Sequence, residues 1–281
     1  MADAAEHQKQ VEEFGSKNDF WLFGYGSLIW KPPPHYDQRI PGYIEGYVRR
    51  FWQASEDHRG TPSAPGRVVT LITREHWSTL PDPHPTAPSR VWGVAYHIPT
   101  QHVNEVRNYL DIREINGYSI QFTPFHPTPS SPISTHITSD PTSFPPSPSP
   151  NNPSTGIQIS TTISAAAVPI TCLVYIGLPS NPQFAGPQDV DDLAKHILRS
   201  KGPSGENREY LFLLERGLQE LGSESSDEHV RDLAARCREL ERDEEVERGV
   251  EGMTVGDGEE EGIGEPLHRA GTTEEIEEVE K

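Results

Sequence analysis

From Pro127 to about Thr162 the chain is built largely from Pro, Ser and Thr, as in Ser143-Phe144-Pro145-Pro146-Ser147-Pro148-Ser149-Pro150. A stretch of this kind cannot bury enough apolar area to offset the entropy of ordering it, so it reads as a disordered insertion. The residues just beyond it constrain the architecture. Thr171-Cys172-Leu173-Val174-Tyr175-Ile176-Gly177 is the apolar, β-branched run of a buried strand, and only helical patterns come after it. A single strand with helices behind it makes a poor independent core. This strand has to pair with strands that precede the insertion. The chain is therefore one interrupted domain, not two domains on a linker.

Partners for that strand are available upstream. Phe20-Trp21-Leu22-Phe23, Arg67-Val68-Val69-Thr70-Leu71-Ile72 and Arg90-Val91-Trp92-Gly93-Val94-Ala95-Tyr96 all read as strands. The proline-rich stretch from His76 to Ser89 reads as a surface loop. Helical spacing appears over Gln101 to Glu114, Asp189 to Ser200, Asn207 to Leu221 and Glu228 to Glu245. The expected fold class is mixed α/β, and the expected organisation is a leader over 1–18, a folded domain over 19–242 and an acidic tail over 243–281. The domain is interrupted by the loop at 76–89 and the insertion at 127–162.

Charge supports that division. The formal net charge is −19, but 15 acidic and 3 basic residues lie from Asp243 onward, a net of −12, which leaves −7 for everything before. A mean hydropathy of −0.65 with 33% hydrophobic residues also fits a chain that is only partly packed. The acidic balance and the lack of a basic, aromatic-interleaved stripe argue against nucleic acid as a partner. The first ten residues lack the apolar core of a signal peptide, and no apolar run approaches membrane-spanning length, so no membrane insertion is expected. Two cysteines, Cys172 and Cys237, are too few and too far apart for a disulfide framework or a zinc site. A reducing, cytoplasmic location is the expectation.

Two features can carry chemistry. The first strand runs into Phe23-Gly24-Tyr25-Gly26-Ser27, where glycines let the backbone approach a ligand and aim several N–H groups at one anion. Ser27 is followed by Leu-Ile-Trp-Lys-Pro-Pro-Pro, a sequence that does not start a helix, so the strand-to-helix elbow of a nucleophilic serine is not expected. The missing helix start and downstream acidic residue also argue against a dinucleotide site. The second feature is the stripe Val103, Val106, Leu110, whose next step of four falls on Glu114. Burial and the negative end of a helix both push a carboxylate's pKa upward, toward the range of a general base. A structural carboxylate, satisfied by arginine or backbone donors, fits the same position. Tyr118 can hold that carboxylate or a ligand, or simply pack in the core. The cluster Arg49-Arg50-Phe51-Trp52-Gln53 with Asp57-His58-Arg59-Gly60 reads as charged loop residues that tie strands together. No metal-ligand spacing such as H-E-x-x-H is present.

Taken together, FGYGSLIWKP (Phe23 to Pro32), GYVRRFWQASEDHRGTPSAPGRVVTL (Gly46 to Leu71), WGVAY (Trp92 to Tyr96), YLDIREINGY (Tyr109 to Tyr118), VYIG (Val174 to Gly177) and GPSGENREYL (Gly202 to Leu211) resemble the ChaC-like gamma-glutamylcyclotransferases that act on glutathione. The resemblance covers most of the part read as folded. It implies one mixed α/β domain with a small barrel-like sheet and surrounding helices. It implies that Leu22, Phe23, Gly24, Tyr25, Gly26 and Ser27 cradle the gamma-glutamyl group of glutathione, that Glu114 is the catalytic base, and that Tyr210 also meets substrate. The implied reaction needs no cofactor and no metal. Two readings stand beside it: the same cyclisation on other gamma-glutamyl amino acids or amines, and a non-catalytic regulatory binding protein that uses the tail and insertion as interaction segments.

Overall fold

The computed structural model describes residues 20–113, 118–128, 134–135 and 169–254. The leader at 1–18, Glu114, most of the insertion and the tail beyond Thr254 lie outside the described residues. By compactness the chain divides after Leu240 into two units.

The core of the first unit is a closed sheet of five strands. In chain order they are β1 (Phe20–Gly24), β2 (Gln38–Glu45), β5 (Arg90–Ile98), β6 (Tyr118–Pro127) and β8 (Ile170–Gly177). Their order around the barrel is β5-β1-β8-β6-β2, and β2 pairs back onto β5. The strand after the insertion, β8, sits between β1 and β6. It is parallel to β1 through Leu22 and Leu173, and antiparallel to β6 from Tyr118–Gly177 to Phe125–Ile170. The small barrel-like sheet expected from the resemblance is the one observed.

Side chains fill the barrel because two strands give way to them. Gly42 and Gly93 face each other across β2 and β5. A Cβ on Gly93 would lie 2.3 Å from the Gly24 carbonyl and 2.6 Å from the Phe23 ring, and one on Gly42 would lie 2.5 Å from the Phe125 ring. The vacated space holds Phe23 and Phe125, whose ring centroids are 5.7 Å apart and tilted by 46°. A narrow barrel leaves room only for side chains, and here glycines exchange strand propensity for two fully buried aromatic rings.

A second, two-stranded ribbon lies against the barrel: β3 (Tyr47–Ser55) and β4 (Gly66–Thr73), with a register shift between Arg50 and Gln53. Its link to the barrel is specific. The Thr70 hydroxyl donates to the Gly177 carbonyl at 2.9 Å and accepts from the Gly177 N–H at 3.0 Å. Thr70→Val keeps the shape but strands both buried backbone groups, so it is expected to lower stability by about 1–3 kcal/mol. Chemical denaturation reads this directly, and an unchanged midpoint with unchanged slope would contradict it.

Arg49 and Arg50 are not loop residues, as the sequence led us to expect. They occupy β3 and are buried. Arg50 Nε meets Asp82 Oδ2 at 2.6 Å, and its Nη2 donates to the carbonyls of His84 and Thr86. The proline-rich segment after α1 (Arg74–Trp77) is thereby pinned, because a buried guanidinium requires acceptors and that segment supplies them. Arg49 donates to the Trp92 carbonyl and pairs with Asp227 at 3.4 Å.

Three further differences concern boundaries. β6 runs through Pro127, which pairs with Gly42, and the short β7 (Ser134–Thr135) pairs with β2, so paired strand extends into the segment read as insertion. The helix expected over Gln101 to Glu114 begins as a 3-10 turn, Thr100–His102, and continues as α2 (Val103–Arg113). Val103, Val106 and Leu110 are buried as the stripe requires.

The remaining elements are α3 (Val190–Arg199), capped by the Asp189 carboxylate on the N–H groups of Asp191 and Asp192, the small β9 (Lys201–Gly202) and β10 (Gly205–Glu206) pair, α4 (Asn207–Leu221) and α5 (Glu228–Thr254). The first turns of α5 dock on β3, where His229 Nε2 accepts the Phe51 N–H at 3.1 Å. Both cysteines are buried thiols outside any disulfide, and burial pushes the Cys172 thiol upward, away from a reactive thiolate. The second unit, from Glu241, holds the continuation of α5, where helix-forming Glu and Arg carry the helix past the expected end at Glu245. Among the described residues no helix is long and apolar enough to cross a membrane.

Candidate active site

Strand β1 delivers the chain to the site. Every residue of Phe20–Gly24 is buried, and the chain then turns through Tyr25 and Gly26 into a 3-10 turn, Ser27–Ile29. The proline run argues against a helix start here. A single 3-10 turn does form, because it needs only the bonds from Ile29 N to Gly26 O and Trp30 N to Ser27 O, all before the first proline at Pro32. It is too short for a nucleophile elbow's helix. Two tyrosines fix the turn from the barrel side: Tyr25 Oη donates to the Tyr175 carbonyl and Tyr96 Oη to the Leu28 carbonyl, at 2.8 and 2.7 Å.

The turn opens onto a cavity of about 350 Å³, within the range of small-molecule sites. Phe23, Gly24, Tyr25, Gly26, Ser27 and Tyr210 all line it. Leu22 does not: it is fully buried in the core, since strand alternation turns it away from its neighbours Trp21 and Phe23. Glu114 lies outside the described residues. Tyr109 and Tyr118, which flank it in the sequence, both line the cavity.

Gly26 and Tyr210 are in close contact across the wall. A Cβ at position 26 would stand 2.9 Å from Tyr210 Oη and 3.1 Å from Val69 Cγ2. Tyr210 comes from the first turn of α4, which is anchored just before it. Asn207 is completely buried, accepts the Arg67 N–H at 2.6 Å and donates to the Arg67 carbonyl at 2.7 Å. The Tyr210 ring meets Trp30 and Phe51 edge-on, with centroids 5.3 and 5.9 Å away.

Behind this wall sits the Arg49 guanidinium. Burial lowers its pKa, while Asp227 and the tyrosines Tyr210 and Tyr25 act in the other direction. Its Nε has no hydrogen-bond partner among the described residues. A buried cation thus stands close to two phenol groups of the cavity.

Residues that sequence reasoning passed over complete the lining. Lys31 comes just after the turn, and His58 and Arg59 lie in the loop after β3. The sequence reads Arg59 as a charge tying strands together. It does so, through the Glu206 carbonyl at 2.8 Å and Glu209 at 3.0 Å, yet it also faces the cavity with its guanidinium carbon 6.0 Å from the Tyr210 ring centre. His58 Nδ1 lies 3.1 Å from Ser204 Oγ. Aromatic walls with cationic groups and a glycine turn suit a small anionic or zwitterionic molecule with several polar ends. Nothing local in the sequence separates Arg59 from an ordinary surface charge.

Comparison with known proteins gives the family. The family model for ChaC-like protein matches residues 20–240. A glutathione-specific gamma-glutamylcyclotransferase of Schizosaccharomyces pombe is 42% identical over 81% of this chain and 97% of its own length. One of Saccharomyces cerevisiae is 39% identical over 72% of this chain and 86% of its own. Among solved structures, a gamma-glutamyl cyclotransferase specific to glutathione from yeast superposes with a TM-score of 0.61 at 32% identity, covering 79% of this chain and 97% of that one. The chain belongs to the ChaC-like protein family.

Proposed function

We infer that this protein is a gamma-glutamylcyclotransferase that degrades glutathione to 5-oxoproline and Cys-Gly. The observation that carries the reading is the convergence of the Gly24–Ser27 turn, Tyr210 and the cationic Arg59 on one cavity whose wall also holds Tyr109 and Tyr118. The activity named for the relatives supports the substrate.

The chemistry asks little of the protein beyond folding the substrate and moving protons. The α-amino nitrogen of the glutamyl unit attacks the γ-carbonyl carbon of the same unit. A five-membered lactam forms, and the amide bond to cysteine breaks. Nucleophile and electrophile are already tethered, so holding the bent conformer supplies much of the rate. Glu114 takes the proton from the α-ammonium group and returns one to the departing cysteinyl nitrogen, so charge balances over the cycle. Backbone N–H groups from Gly24 to Ser27 hold the α-carboxylate or the developing oxyanion, a contribution of about 10²–10³ in rate per donor. Lys31 and Arg59 suit the carboxylate at the glycine end of glutathione, which a gamma-glutamyl amine would lack. The reaction requires no metal and no cofactor, and a cytoplasmic location fits a chain whose described residues hold no helix long and apolar enough to cross a membrane.

Incubating the purified chain with glutathione, gamma-glutamyl amino acids and a gamma-glutamyl amine, and assaying 5-oxoproline, tests the reading. Release from glutathione at least about 10-fold faster in kcat/KM is expected, one lost charge-assisted contact being enough for that ratio. Equal rates on all substrates would make the protein a general cyclotransferase. No release from any would leave a binding protein.

A further inference from the structure

Three side chains outside the cavity converge without any part in the chemistry above. His35 stands in the segment between the 3-10 turn of the active site and β2. His102 and Glu105 stand at the start of α2. The imidazoles of His35 and His102 are stacked, 4.3 Å between centroids and 7° from parallel. Glu105 joins both: Oε1 is 2.9 Å from His35 Nε2 and Oε2 is 3.6 Å from His102 Nδ1. One ligating atom from each residue lies within 4.8 Å of the others.

We propose that His35, His102 and Glu105 form a binding site for a divalent transition-metal ion of the Zn²⁺ class. Two imidazole nitrogens and one carboxylate are a donor set that zinc takes, with a fourth position left to water. Around a tetrahedral ion with bonds of about 2.0–2.2 Å, neighbouring donor atoms stand about 3.3–3.5 Å apart. The distances on either side of the carboxylate bracket that value, and the two rings, nearly parallel as they stand, tilt out of their stack so that both nitrogens face one ion. His102 and Glu105 are three residues apart at the entrance to a helix, a spacing that puts both on one face. His35 is held to meet them by a left-handed backbone, φ 59°, in the one non-glycine residue with positive φ among the described residues. Such a conformation is uncommon for histidine and needs surrounding structure to hold it. A simple ion pair with Glu105 would need one histidine. Here two, from separate segments, point nitrogens at one carboxylate.

An ion at this position ties the segment after Lys31 to the first turn of α2. Lys31, four residues before His35, and Tyr109, four residues after Glu105, both line the cavity. The site is thus a clamp on the mouth, not part of the reaction.

The test uses the full chain, without glutathione, whose thiol would itself bind the metal. Zn²⁺ alone is titrated against a chelating dye of micromolar affinity. The wild type is expected to hold one equivalent against the dye and to melt at a higher temperature with Zn²⁺ than without. His35→Asn keeps a residue that tolerates the left-handed backbone and removes the imidazole. It and Glu105→Gln should each lose affinity by about 10-fold or more and lose the Zn²⁺-induced rise in melting temperature, while melting like the wild type in chelator. The chain has 12 histidines, so His76→Ala, an exposed histidine elsewhere, serves as the control that keeps full affinity. No retention of Zn²⁺ by the wild type overturns the proposal. So does equal retention by wild type, His35→Asn and Glu105→Gln, which would leave the cluster an ion pair only.

Discussion

Glu114→Gln is expected to fold and bind glutathione as the wild type does, and to lose about 10²–10⁴-fold in kcat for 5-oxoproline release. The reasoning starts from helix periodicity. Val103, Val106 and Leu110 form a stripe that is buried, and Glu114 is the next position on it. Amide and carboxylate have nearly the same shape, so the exchange removes proton transfer and little else. The KM should change far less than kcat, since glutamine leaves the ground-state contacts of the glycine turn intact. Asp111→Asn is the companion measurement: Asp111 leaves the stripe, and its exchange should be mild. Comparable 5-oxoproline release by Glu114→Gln and wild type would remove Glu114 from the mechanism.

Gly26→Ala is expected to cost about 10²-fold in kcat/KM with little change in melting temperature. The added methyl would press on Tyr210 Oη at 2.9 Å and Val69 Cγ2 at 3.1 Å. Tyr210 cannot swing aside freely, because Trp30 and Phe51 meet its ring edge-on and Asn207 fixes the turn of α4 that carries it. The turn itself must move, and a displacement of an ångström at a substrate-positioning group is enough for a loss of this size. An internal check is available. Tyr210→Phe removes the atom that the new methyl meets, so Gly26→Ala should cost less in that background than alone. Strict additivity of the two changes in a double-mutant cycle would show that the contact is not the cause.

How much of the fold is legible in the sequence depends on which signals are local. β1, β4 and β8 are apolar runs without a breaker inside, β5 carries only Gly93 in an otherwise apolar run, and each reads close to its observed bounds. β2 does not, because Pro41 and Gly42 stand in its middle. Those two residues weaken a strand locally, and the close approach of the His126 carbonyl and the Phe125 ring explains the glycine. β3 hides differently. Arg49-Arg50 looks like surface, and its burial depends on Asp227 and Asp82, residues far away in the chain. The site divides along the same line. The glycine turn is visible because a strand runs straight into it. Tyr210 is reached only through family resemblance, and Lys31 and Arg59 not at all, since a cation facing a cavity and one facing solvent have the same sequence neighbours.

The place of β8 has a consequence for how the molecule comes into being. It pairs with β1 on one side and β6 on the other, so the barrel stays open along both of those edges until the strand made last arrives. On the ribosome, everything from β1 to β6 has to wait with two unsatisfied edges while the long low-complexity stretch is translated. The same arrangement makes the chain a natural candidate for splitting. Cut within the stretch between β7 and β8, it becomes two pieces, neither able to close a core alone, each supplying what the other lacks. Activity regained on mixing would then report assembly of the two halves.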